Sequence, residues 1–130
     1  MMPFFLLLAA IIIIGIILLS IIAKRKPKLS AGTKDRINKQ WQHACQLPDD
    51  TRKILEADKV LDSLLKELGY QGSLGDKLKK AGNVIPNINE VWTAHKLRNR
   101  LAHEPGAHVS PQEAQQAMRA FGRVIGKYVS

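Results

Sequence analysis

Apolar residues in this chain form one unbroken block and then recur as stripes. From Phe4 to Ala23 there are twenty residues without a charge, which as a helix would span roughly 30 Å, the thickness of a bilayer's hydrocarbon core. A transmembrane helix is the expectation. A secretory signal peptide is the competing reading, but it calls for a basic start, an apolar run of about 7–15 residues and a small-x-small cleavage site. This segment opens without charge, runs longer, and shows no such site before Lys24.

Beyond the block, Pro27 to Gly32 (PKLSAG) reads as a short linker. From Thr33 onward the spacing is helical throughout. Thr33 or Asp35 is the expected cap of a helix with the stripe Ile37, Trp41, Ala44 and Cys45, ending at Pro48. Asp49 and Asp50 bring cap oxygens and negative charge to a second helix, whose apolar face runs from Ile54 and Leu55 to Leu65 and Leu68 before Gly69 stops it. Leu74 and Leu78 indicate a short third helix ending near Gly82. Asn87, with Glu90 three residues on, has the form of a capping box opening a fourth. Ser110-Pro111-Gln112-Glu113 opens the last, with the stripe Ala114, Ala117, Met118, Phe121, Val124, Ile125 and Tyr128.

No alternating strand pattern and no internal repeat competes with this. The expected fold is all-α: a single transmembrane anchor over 1–23, a basic juxtamembrane linker over 24–32, and a bundle of four to five helices over 33–130. A domain of that size makes one core with little margin, which a homodimer burying further surface would widen.

Charge changes the picture in one respect. Lys and Arg number 20 against 11 for Asp and Glu, a net +9, which favours anionic partners such as nucleic acid or acidic lipid. Four of those charges, Lys24, Arg25, Lys26 and Lys28, lie beside the apolar block, leaving about +5 for the rest. Basic residues on that side only place the bundle in the cytoplasm and the N-terminus outside, on an inner or plasma membrane, with residues 4–23 in the lipid. The lone Cys45 excludes an internal disulfide and reads as a small buried hydrophobe. No cofactor or metal is called for.

Chemistry is densest in Trp92 to Pro105, WTAHKLRNRLAHEP. On a regular helix His95, Asn99 and His103 fall at i, i+4 and i+8 on one face, with Arg98 at its edge, while Leu97 and Leu101 join Val91 and Trp92 in the core. Histidine exchanges protons near neutral pH, and arginine grips phosphate oxygens in a fork, so this face could bind and cleave a phosphodiester without metal. Plainer roles exist for each residue. Lys96, Arg98 and Arg100 suit a solvated basic face, His103 suits a terminal carbonyl and the helix dipole, and His95 a satisfied, partly buried site. Asp49 and Asp50 suit capping, while Glu56, Asp58 and Asp62 suit solvent-facing helix positions rather than a metal site. His43 and His108 suggest no role.

The run Arg98-Asn99-Arg100-Leu101-Ala102-His103 fits the R-x4-6-H motif of HEPN domains, and the chain from about Asp35 to Tyr128 resembles that superfamily of small helical bundles. EADKVLD at Glu56 to Asp62, GYQG at Gly69 to Gly72 and AHKLRNRLAHEP are also similar to a group of bacterial proteins with one N-terminal membrane helix. The resemblance implies a metal-independent endoribonuclease site completed across a homodimer, with Arg98 and His103 as motif residues and Asn99 as the polar residue after the arginine. His95 and Lys96 are accessory candidates that the motif does not cover. The alternative is a non-catalytic, membrane-tethered bundle that binds a protein partner or nucleic acid through the same face.

Overall fold

The computed structural model describes residues 2–24 and 28–130, so the linker residues Arg25, Lys26 and Pro27 lie outside it. Among the described residues there are six helices and no strand: α1 (Met2–Lys24), α2 (Ala31–Gln46), α3 (Asp50–Glu67), α4 (Leu74–Ala81), α5 (Ile88–His103) and α6 (Pro111–Val129). Within α1, Met2–Ile22 has a mean hydropathy of 3.3 and none of it is buried. It is long and apolar enough to cross a membrane, a length and composition that a signal sequence also meets.

Side-chain oxygens start four of the five bundle helices. Ser30 Oγ accepts from the Thr33 amide at 3.1 Å, Asp49 Oδ2 from Arg52 at 2.8 Å, and Ser110 Oγ from Glu113 at 3.1 Å. Each satisfies one of the amides that a helix start leaves without a partner. Ser73 and Asp76 form a reciprocal capping box at α4, the Asp76 carboxylate accepting from the Ser73 amide at 3.0 Å. At the end of α3, Gly69 takes φ +97°, which turns the chain so that the Tyr70 amide reaches the Leu65 carbonyl at 3.0 Å.

Two expected caps are displaced. Ser30 replaces Thr33 and Asp35 at α2, because the serine oxygen already serves the Thr33 amide and the helix begins at Ala31. Asn87 makes no cap bond at α5. Its side chain is buried and donates instead to the Ala120 carbonyl at 3.1 Å, stitching the start of α5 to α6.

Cross-helix contacts fix the direction of every long helix. Arg36 near the start of α2 pairs with Glu67 at the end of α3 at 2.7 Å. Arg100 late in α5 pairs with Glu113 early in α6 at 2.9 Å, while Lys127 at the end of α6 donates to the Val84 carbonyl just before α5. Asp50 and Lys53 of α3 share a surface depression with Pro111 and Ala114 of α6. Helices α3 and α6 therefore run parallel, and α2 and α5 run against them. Their shared core contains Ile37, Ile54, Leu61, Leu64, Leu65, Leu78, Val91, Phe121, Val124 and Ile125, all fully buried, each large side chain contributing about 1.5–3 kcal/mol relative to exposure. Helices α2 and α6 approach closely where Gly122 meets the Trp41 ring: a Cβ there would lie 2.8 Å from Cζ2.

Cys45, expected on the buried stripe of α2, is exposed. Helical rotation explains it: eight residues on from Ile37 the side chain points about 80° away, whereas Ala44 lies within about 20° of Ile37. Trp92, Leu97 and Leu101 do pack against the core, and Val91 is inside it.

Candidate functional site

The largest departure from expectation is Asp58, which is buried rather than solvent-facing. Its place on α3 explains this: Ile54, Asp58, Leu61 and Leu65 share one helical stripe, so the carboxylate projects with three core side chains toward α5. A buried carboxylate needs hydrogen-bonding partners, and α5 provides two. His95 Nδ1 lies 2.9 Å from Asp58 Oδ1, and Arg98 Nε lies 3.4 Å from Oδ2, an ionic contact rather than a well-aligned hydrogen bond.

The network continues along α5. Asn99 Nδ2 is 3.4 Å from His95 Nε2, and Arg98 Nη1 donates to Asn99 Oδ1 at 3.1 Å. Asn99 Oδ1 accepts from Arg98, so its amide nitrogen is the group that faces His95 Nε2, and the imidazole bridges Asn99 to Asp58. The result is a closed ring: Arg98 to Asn99, Asn99 to His95, His95 to Asp58, and Asp58 back to Arg98. The Trp92 ring lies edge-on to His95 with centroids 6.0 Å apart. One turn along α3, Asp62 pairs with Lys77 of α4 at 2.7 Å, the Lys77 side chain being 5% exposed. The two acids thus clamp α5 and α4 onto α3.

Arg98 is held on one side only. Nε faces Asp58 and Nη1 serves Asn99, and the side chain as a whole is 27% exposed. Of the residues expected to form the site, Arg98 and Asn99 meet, and His95, expected as an accessory, lies in the same ring. His103, the last residue of α5, is exposed and makes no hydrogen bond among the described residues. In this single chain it shares no partner with Arg98. Lys96 is exposed and in no ion pair among the described residues, and Arg100 belongs to α6 through Glu113.

A groove of about 410 Å³ between α5 and α6, lined by Glu90, Thr93, Ala94, Leu97, Glu113 and Arg119, uses another face of α5 and includes none of the ring residues. Sequence reasoning missed Asp58, yet a signal existed: an acid at the fourth position after Ile54 and the third before Leu61, inside an apolar stripe, facing a helix rich in cations. The chain matches no protein-family model, no curated protein and no solved structure.

Proposed function

We propose that α1 anchors the chain in a membrane, that the bundle lies on the cytoplasmic side, and that it acts on RNA in the manner of a HEPN-like, metal-independent endoribonuclease. The observation that carries the RNA reading is the half-held guanidinium of Arg98. Nη1 donates to Asn99 and Nε lies beside the Asp58 carboxylate while the side chain stays 27% exposed, which leaves the guanidinium partly fixed and open to a phosphate oxygen. His103 ends the same helix with its ring exposed, within reach of a bound substrate.

In this reading Arg98 holds a non-bridging phosphate oxygen and balances the charge that builds at phosphorus. His103 takes the proton from the ribose 2′-hydroxyl as the O2′–P bond forms and the P–O5′ bond breaks. A homodimer supplies a second His103, which protonates the departing O5′. The products are a 2′,3′-cyclic phosphate and a free 5′-hydroxyl. The experiment is cleavage of single-stranded RNA by the full chain in detergent micelles with EDTA present, repeated with His103→Ala. Loss of cleavage in the variant supports the assignment, and unchanged cleavage removes His103 from it.

A specific observation favours a second reading, a bundle that binds without turnover. Asp58, His95, Asn99 and Arg98 hold one another through three hydrogen bonds and one ionic contact, and His103 stands apart from them. A structural clamp needs no more than this, and RNA or protein binding to the exposed edge would survive His103→Asn.

A further inference from the structure

The helix directions sort the charges of the bundle between its ends. At the end where α2 begins, α3, α4 and α6 all finish, and their terminal turns carry Lys34, Lys66, Lys79, Lys80 and Lys127. None of these five is in an ion pair among the described residues. Lys127 donates to the Val84 carbonyl and lies 5.3 Å from the centroid of the Tyr128 ring; Lys80 donates to the Gln71 carbonyl.

The acids at this end are mostly engaged. Asp35 pairs with Lys39 at 2.9 Å, Asp62 with Lys77 at 2.7 Å, and Glu67 with Arg36 at 2.7 Å. Asp76 closes the α4 capping box, and the Ser73 hydrogen bonds, helped by Lys79 and Lys80, hold its carboxyl below the usual range. Glu90, 3.5 Å from Asn87 Nδ2, is in no ion pair among the described residues. The surface is therefore cationic, and it is also where the chain enters from α1. Lys24 and Ala31 are seven residues apart, at most about 25 Å of extended chain.

We propose that this end of the bundle docks on the anionic headgroups of the membrane that α1 crosses, an inference that rests on α1 being an anchor and is independent of any RNA chemistry. Each basic residue close to an anionic leaflet strengthens attachment by about fivefold. The short tether makes the contact intramolecular, at an effective concentration of order millimolar. Exposed Lys28, beside α2, adds to the same surface.

The test reconstitutes the full chain in nanodiscs of neutral phosphatidylcholine or of lipid rich in phosphatidylglycerol, and reads lysine acylation rates by mass spectrometry. In anionic discs Lys66, Lys79, Lys80 and Lys127 should react more slowly, by roughly fivefold or more, and recover in high salt. Lys59 and Lys96, away from this end, should not change. The charge reversal Lys66→Glu, Lys79→Glu, Lys80→Glu should abolish the protection of Lys127. Equal rates in both discs overturn the docking, and a chain that does not co-purify with discs overturns the anchor and the docking together. Protection by added RNA in neutral discs, with none from anionic lipid, assigns the surface to nucleic acid and overturns the lipid assignment.

Discussion

His95 Nδ1 sits 2.9 Å from the Asp58 carboxylate, and the bond joins the middle of α5 to the middle of α3 inside the bundle. Both side chains are nearly enclosed, 12% and 6% exposed, so water cannot readily replace a lost partner. Removing Asp58 leaves an imidazole N–H and the inner edge of a guanidinium without an acceptor. Asp58→Ala should lower stability by about 2–4 kcal/mol, and His95→Ala by less. In a double-mutant cycle followed by urea denaturation, the pair should show coupling of about 1 kcal/mol or more. Additive losses would mean the contact is incidental to the fold.

His103 and Arg98 should separate stability from function. His103 is exposed and makes no hydrogen bond among the described residues, so His103→Ala should change stability by no more than about 0.5 kcal/mol, while the proposed RNA cleavage should fall by at least about a hundredfold. Arg98→Lys keeps the charge but loses the planar fork that touches Asp58 and Asn99. RNA affinity, measured by fluorescence anisotropy at fixed salt, should weaken several-fold, and equal affinity for wild type and variant would place the phosphate elsewhere.

The Lys77–Asp62 pair provides a contrast between charge and packing. Lys77 is buried and Asp62 is 43% exposed, so Asp62 can rehydrate if its partner goes. Lys77→Met, which preserves the aliphatic stem, should cost under about 1 kcal/mol, whereas Lys77→Ala, which empties the space, should cost about 2 kcal/mol. Thermal unfolding of the two variants would show whether the stem or the ammonium holds α4 in place.

Two glycines one turn apart on α6 should respond oppositely to alanine. At Gly122 the added methyl meets Trp41 at 2.8 Å, and at Gly126 it meets nothing within 4 Å. Gly122→Ala should destabilise by about 1–3 kcal/mol, and Gly126→Ala should stabilise by about 0.5–1 kcal/mol through helix propensity alone. Similar effects from both would contradict the close approach of α2 and α6.

The all-helical fold, both ends of α3 and the start of α6 were legible because caps, stops and apolar stripes agree there, whereas the Ser73–Asp76 capping box of α4 lay in a stretch that reads as a turn. The start of α2 was not, since Ser30 sits in a Pro-, Ser- and Gly-containing stretch that also describes a linker. Asn87 looked like a cap because spacing alone cannot reveal that the Ala120 carbonyl of another helix lies within its reach. Asp58 was hidden for a related reason. Among Glu56, Asp58 and Asp62 it resembled one more solvated acid, and only the packing of α5 against α3 makes its position interior. The approach of Asn99 to His95 follows from their i, i+4 spacing on α5, whereas the isolation of His103 depends on what surrounds the end of α5.

The antiparallel course of α5 sets a working distance. Its 16 residues extend about 24 Å, so His103 stands roughly three Debye lengths, at physiological salt, beyond the cationic end of the bundle. Over that separation the field of an acidic leaflet is largely extinguished. The surface charge that would draw in one end of the domain would therefore offer little repulsion to a polyanion arriving at the other.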